Sequence, residues 1–387
     1  MERYLISGGR IITPFEELEN HEILLGEGKI LRISAQRTIQ DYDTRIDAAG
    51  KTVVPGFIDV HVQGAGGADV LDGTPEALDS ISRTCARFGV TGYLATTVYR
   101  PQGDNSHLRT AARGCGRDQR GAELLGIHLE GPFIAKDKRG MIQEDCLGEV
   151  EDRTFERIQE LTEKRLRMMT IAPELPGALA LIRRLPASGV VASFGHSTAD
   201  YEQTKAGIRA GIRHVTHLFN AMMPMHHRDP GPIPALLESP EVSAQVIPDG
   251  VHIHPAVLRM AVQWLTEGRL VLISDGMQAM GLPEGRYLYN SLDYESKNGT
   301  ARYIDGTLIG TTLGISELID RCITHTGCGL MPAVRAASYN PASVLGLQNR
   351  KGSLEQGKDA DLVLLGPGLE VDMTFRAGRC VYRAEPG

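Results

Sequence analysis

Hydrophobic and polar positions follow three different rhythms along this chain, and each rhythm predicts a different kind of element. From residue 1 to about 53 they alternate with period two between turn signals, as in RYLISGGRII and HEILLGEGKILRIS, which predicts short antiparallel strands with one wet face. The stretch GSLEQGKDADLVLLGPGLEVDMTFRAGRCVYRA near the other end has the same texture. Neither piece is long enough to bury a core alone, so one small β-sandwich built from both termini is expected, assigned to residues 1–53 and 354–387. Between them, over 54–353, continuous apolar runs alternate with amphipathic helical segments. The runs fall at 53–62, 91–98, 123–131, 167–174, 190–196, 214–220, 242–253 and 269–276. Eight β–α units predict a closed (β/α)8 TIM-type barrel of the α/β class rather than an open doubly wound sheet. A β excursion is expected over 283–310, then two helices, TLGISELIDRCITHTG and MPAVRAASYNPASVLG.

Within the fifth and sixth units, VVASFGHSTADYEQTKAGIRAGIRHVTHLFNAM, His196 and His217 each end an apolar run, with Ser197 or Thr198 the expected cap of the helix between them. The C-terminal ends of barrel strands all open on one face, where active sites lie. A lone histidine at such an end is more often a satisfied structural residue than a ligand. Here, however, six or more of the eight ends carry an acid or an imidazole: His61, Glu130, Glu174, His196, His217, His252 and Asp275. Glu130, His196 and His217 supply the three nitrogen and oxygen ligands typical of a catalytic divalent ion. Asp275, in LISDG, could be a turn former; placed beside such an ion, it would take a proton from an activated water and pass it to a leaving amine.

Composition narrows the partners. The chain has 387 residues and a formal net charge of -7, which gives no reason to expect a nucleic acid or an anionic membrane surface. An anionic substrate then needs a local basic patch, and NAMMPMHHRDPGP, with Asn220, His226, His227 and Arg228, provides one. No GxGxxG or GxxxxGK[ST] is present, and no apolar run approaches the ~18 residues of a membrane span. The six cysteines form no CxxC pair or regular frame, and MERYLISGGRIITP lacks the pattern of a signal peptide. Free thiols in a reducing cytoplasm are expected.

Taken together, PGFIDVHVQGAGG, HLEGPF, GHSTA, THLFNAM, HHRDPG, DGVHIHP, SDGMQAMG and NPASVLGL resemble the amidohydrolase superfamily, most closely its N-acetylglucosamine-6-phosphate deacetylase family, in the expected order from about residue 50 to 365. The resemblance implies a metal-dependent barrel that hydrolyses the N-acetyl amide of a hexosamine 6-phosphate. It implies that Glu130, His196 and His217 bind one divalent ion, zinc before iron or manganese, and that Asp275 is the acid/base. It also implies that Asn220 and Ala221 backbone groups, His227, Arg228 and His252 hold the sugar phosphate, with Arg228 reaching the partner's site in a homodimer. Two departures stand out. The superfamily's first-strand His-x-His reads His61-Val62-Gln63, so one ion is expected, with His61 a weak or outer ligand. Where relatives carry a residue that polarises the amide carbonyl, an ungapped reading places Ile142, and Gln143 one position on is the candidate. N-acetylgalactosamine 6-phosphate is the rival substrate. A cyclic-amide hydrolase would want a lysine at the end of the fourth strand, which RMMTIAPE lacks; a non-catalytic scaffold would have lost the ligand set, which is present.

Overall fold

The computed structural model describes residues 2–385. Eight parallel strands stand in chain order in one sheet: Phe57–Val62, Val90–Thr97, Glu123–Glu130, Leu166–Ile171, Val191–Phe194, His214–Val215, Ser243–Val246 and Leu270–Leu272. The eighth returns to the first through a parallel bridge between Gly276 and Val62, reinforced where the Gln63 and Gly64 N–H groups donate to Gly276 O at 3.0 and 2.9 Å. This is a TIM-like barrel with helices between its strands, the largest being Pro75–Arg87 and Pro255–Arg269. The first three strands are buried along almost their whole length, as continuous apolar runs between a packed interior and a helical layer require.

Two sheets flank the barrel. One pairs Tyr4–Ser7, His21–Gly26, Lys29–Ala35 and Thr44–Asp47; the other runs from Arg379–Arg383 through Val371–Arg376, Leu362–Leu365 and Thr52–Pro55 to Arg10–Ile12 and Glu17–Leu18. Their shared core includes Ile6, Ile23, Leu25, Leu362, Leu364 and Phe375, drawn from both ends of the chain. The run expected as one strand over 53–62 is two. Thr52–Pro55 pairs antiparallel with Leu362–Leu365 in the terminal layer, and the barrel strand starts only after Gly56. A Cβ at Gly56 would lie 2.3 Å from the Thr91 hydroxyl, so the chain can pass between the layers there only as glycine. The expected helix MPAVRAASYNPASVLG is likewise two, Leu330–Ala337 and Tyr339–Val344. Pro341 has no N–H to give to Ala337 O, and the chain breaks at Ser338. The excursion is a four-stranded meander over Gly285–Thr311.

Lys351 pins the terminal layer to the barrel. Its fully buried ammonium lies 2.6 Å from Asp361, 2.8 Å from Glu123 at the start of the third barrel strand, and 3.1 Å from Asp359. Burial pulls the lysine down, but these three carboxylates outweigh it and hold it above the usual lysine range. Lys351→Met keeps the stem and removes the charge, leaving three carboxylates facing one another. The expected loss is about 3–5 kcal/mol of stability, the usual cost of breaking a buried ion pair from one side. It is read as a lower urea midpoint, and an unchanged midpoint would show that the network holds nothing.

Candidate active site

The barrel interior below the mouth carries a polar chain. His128 Nδ1 faces the Val60 carbonyl at 3.2 Å and therefore holds the proton, so Nε2 accepts from the Thr170 hydroxyl at 2.8 Å. Thr170 then accepts from Thr216 (2.8 Å), and Thr216 from Ser193 (2.7 Å). Burial, then His61, holds His128 well below the usual imidazole range. This is a satisfied, neutral network, and its histidine is structural.

At the C-terminal mouth the picture changes. His196 and His217 lie two residues beyond their strands and Asp275 three beyond its own, and all three have left-handed backbones, with φ of 49°, 28° and 49°. Such conformations are costly for residues other than glycine and cluster at functional sites. They turn the side chains inward, where Glu130, from the end of the third strand, meets both imidazoles. His196 Nε2 and His217 Nε2 each stand 3.0 Å from Glu130 Oε1 and 3.0 Å from one another. His196 Nδ1 donates to Lys138 O at 2.7 Å, since a carbonyl can only accept. Its Nε2 lone pair therefore points at Glu130 and at the His217 ring. Electron pairs converging at that spacing want a cation among them, and buried nitrogen and oxygen donors are the set a zinc-like ion takes. The charge states agree. Burial opposes the Glu130 anion, but His61, His196 and His217 overcome it and hold Glu130 well below the usual carboxylate range; burial, only partly offset by Glu130, keeps His217 low and so neutral. Ligands must be deprotonated to bind, and this is the direction in which Glu130 and His217 are held.

His61 stands beside the triangle. Its Nε2 lies 3.2 Å from Asp275 Oδ1 and 3.6 Å from Glu130 Oε2. Burial pulls it down, but Asp275 and then Glu130 bring it up to about 9. Its Nδ1 faces Gln245 Oε1 at 3.0 Å, and that oxygen also accepts the His217 N–H at 3.3 Å, so Gln245 holds two of the mouth residues at once. Gln63, where a second histidine was the alternative, instead donates to Asp275 Oδ1 at 3.2 Å. His252 is tied through Nδ1 to Asp249 Oδ2 at 2.7 Å, which leaves Nε2 as the atom it can present. Burial works against the Asp249 anion, but His252 more than compensates and lowers it.

These groups line a cavity of about 250 Å³ containing Gln63, Glu130, His196, His217, Asn220, Ala221, His252 and Asp275. A larger hollow, about 570 Å³, opens at the opposite end of the barrel around the N-terminal ends of its strands, but it has neither histidine nor thiol in its lining. Other expected residues lie outside the mouth. His227 and Arg228 are exposed and contact each other, 2.7 Å apart, without lining the cavity. Gln143 also stands outside it, its amide donating to Asn290 O at 2.9 Å, and Ile142 is packed in the core beneath the meander. Glu174, counted among the strand-end acids, ties down the segment after His196 by accepting from Ser197 Oγ, Thr198 N and Thr198 Oγ1. Ser197 and Thr198 are thereby occupied, and the helix Tyr201–Ala210 is capped by Asp200 instead, in a reciprocal pair with Gln203. Gln245 and the Lys138 carbonyl are the positioning groups that the pattern did not announce. The only available signal was a glutamine in the middle of the apolar run VSAQVI.

A family model for the amidohydrolase family matches residues 52–381. The chain belongs to the amidohydrolase family. Among its amidohydrolase relatives, the N-acetylglucosamine-6-phosphate deacetylase of Bacillus subtilis is 35% identical over 386 residues, 98% of each chain. The N-acetylgalactosamine-6-phosphate deacetylase of Escherichia coli O157:H7 is 34% identical, over 97% of this chain and 98% of the other. A variant of the Mycobacterium smegmatis N-acetyl-D-glucosamine-6-phosphate deacetylase, solved in complex with N-acetyl-D-glucosamine-6-phosphate, superposes with a TM-score of 0.91 at 34% identity, covering 98% of this chain and 100% of that one. Metal dependence is typical of this family, and the Glu130–His196–His217 cluster could hold such an ion. Among the described residues no helix is long and apolar enough to cross a membrane.

Proposed function

We propose that this amidohydrolase removes the acetyl group of N-acetylglucosamine 6-phosphate, consuming one water and releasing glucosamine 6-phosphate and acetate. The observation that carries the reading is the buried Glu130–His196–His217 triangle with the Asp275 carboxylate in the same cavity, in a chain aligned over nearly its full length with deacetylases of this kind. Glu130, His196 and His217 would hold one divalent ion, zinc before iron or manganese. When bound, it supplies Lewis-acid charge that polarises the acetamide carbonyl and acidifies water. Gln63 leaves no strong ligand for a second ion, and His61 remains beside the first.

Asp275, oriented by Gln63 and His61, takes the proton of the attacking water and delivers it to the amide nitrogen as the C–N bond breaks. His252, donating its Nδ1–H to the Asp249 carboxylate, offers Nε2 to the sugar, and Asn220 and Ala221 border the sugar's end of the cavity. Arg228 and His227 lie off their own cavity and exposed, which fits a homodimer in which each loop reaches the partner's substrate phosphate. Gln143 is left to fasten its loop to the meander. Six free thiols suit a cytoplasmic enzyme.

The test is a substrate panel. N-acetylglucosamine 6-phosphate should be turned over with the highest kcat/KM, N-acetylgalactosamine 6-phosphate less well, and unphosphorylated N-acetylglucosamine worst, by about 10²-fold, or roughly 3 kcal/mol of phosphate binding. The Escherichia coli relative makes the galactose isomer the specific rival; its preference over the glucose isomer would reassign the substrate. Equal rates with and without phosphate would remove the role given to Arg228.

A further inference from the structure

The helix Ile315–Thr326 ends in a left-handed glycine, Gly327, at φ 74°, whose N–H donates to Ile323 O at 2.8 Å. Closure of this kind turns the chain back on the helix. It brings the residue after the glycine against the last full turn, a contact that an apolar pair ordinarily fills. In this chain the pair is two thiols: Cys328 Sγ lies 3.9 Å from Cys322 Sγ. The turn is held from both sides by Thr326, which donates its hydroxyl to Cys322 O at 2.6 Å and accepts the Cys328 N–H at 3.2 Å. Bonded sulfurs sit about 2.05 Å apart, so the cap has brought the two thiols to within about 2 Å of bonding distance.

The two thiols are not equivalent. Cys322 is buried, whereas Cys328 is half-buried and open to a small reagent. The hydrogen bond from Cys322 holds Cys328 down to about 6 against the effect of burial, while the same contact and burial push Cys322 far up. An accessible thiol with a buried one directly behind it has the arrangement of the attacking and resolving halves of an exchange pair.

We propose that Cys322 and Cys328 form a thiol–disulfide exchange site for a small disulfide of the oxidised-glutathione type. Cys328 thiolate attacks one sulfur of that disulfide, its S–S bond breaks, and one thiolate leaves. The Cys322 proton passes to the departing thiolate, and Cys322 sulfur attacks Cys328 sulfur and expels the second thiolate, which takes a proton from water. Two electrons pass to the reagent, which leaves as two thiols, and the protein keeps a Cys322–Cys328 bond. The bond locks the end of a helix that reaches the mouth. Arg321 donates to Asp249 O at 3.0 Å, and the His325 ring covers Gly250, both in the segment that presents His252.

The full-length protein is incubated with oxidised glutathione at neutral pH, denatured, alkylated and mapped by mass. The expected product is one Cys322–Cys328 cross-link per chain, with a mass lower by two hydrogens and reversed by dithiothreitol. Cys322→Ser should trap one glutathione on Cys328, and Cys328→Ser should leave Cys322 unmodified. In the oxidised protein, amide exchange over residues 323–328 should slow several-fold. Glutathione retained on Cys328 in the parent protein would overturn the proposal, as would glutathione found on Cys322 in the Cys328→Ser variant, or unchanged amide exchange.

Discussion

Asp275→Asn should lower kcat by about 10²–10⁴-fold, the range in which a positioned acid/base acts, while KM for the sugar phosphate stays within a few-fold of the parent value. Asparagine has the same shape, is among the few residues that tolerate the left-handed backbone seen at this position (φ 49°), and keeps an oxygen to accept the Gln63 amide at 3.2 Å. What it cannot do is take a proton from water and return it to nitrogen. A loss confined to kcat, with the melting temperature unchanged, is therefore the expected signature. Near-normal kcat would reduce Asp275 to a turn residue, the plainer reading that an Asp-Gly pair always carries.

Glu130→Gln should release the ion. The side chain keeps its volume, but the only anion among the three donors becomes a neutral amide whose nitrogen cannot ligate. Removing an outer-shell partner of a ligand costs about 10–100-fold in metal affinity, and removing the charged ligand itself should cost more. Elemental analysis of protein purified without added metal is expected to find about one zinc, iron or manganese per parent chain and almost none in the variant, with activity falling in step. Because an ion that binds only the folded state stabilises it by mass action, a chelator should lower the melting temperature of the parent and leave the variant's unchanged. Two tightly held ions per parent chain would contradict the single-ion reading drawn from Gln63.

The barrel is legible because its apolar runs are continuous and regularly spaced, and the site because seven of its strand ends carry titrating groups. Glu130, His196 and His217 read as one set from sequence, since topology alone sends those strand ends to one face. What pattern could not show is how each group is held. Whether Gln63 ligates or orients depends on an oxygen 3.2 Å away, just past the end of the eighth strand, and Gln245 sits 184 residues from the His61 ring it holds. Gln143 illustrates the opposite failure: a polar residue at an inviting position in sequence whose amide the meander takes up. The division of 53–62 at Gly56 is invisible in the pattern for a related reason. Both halves are apolar and buried, and hydrophobicity does not say which sheet a buried strand joins.

That division bears on how the chain is made. Thr52–Pro55 lies between Arg10–Ile12 and Leu362–Leu365, so one flank of this strand finds its neighbour within the first segment synthesised and the other waits for almost the last. During translation the waiting flank is an unpaired edge, the kind of surface that recruits foreign strands. A ribosome that stops short of residue 362 thus leaves a chain with all eight staves of the barrel written and one raw margin uncovered.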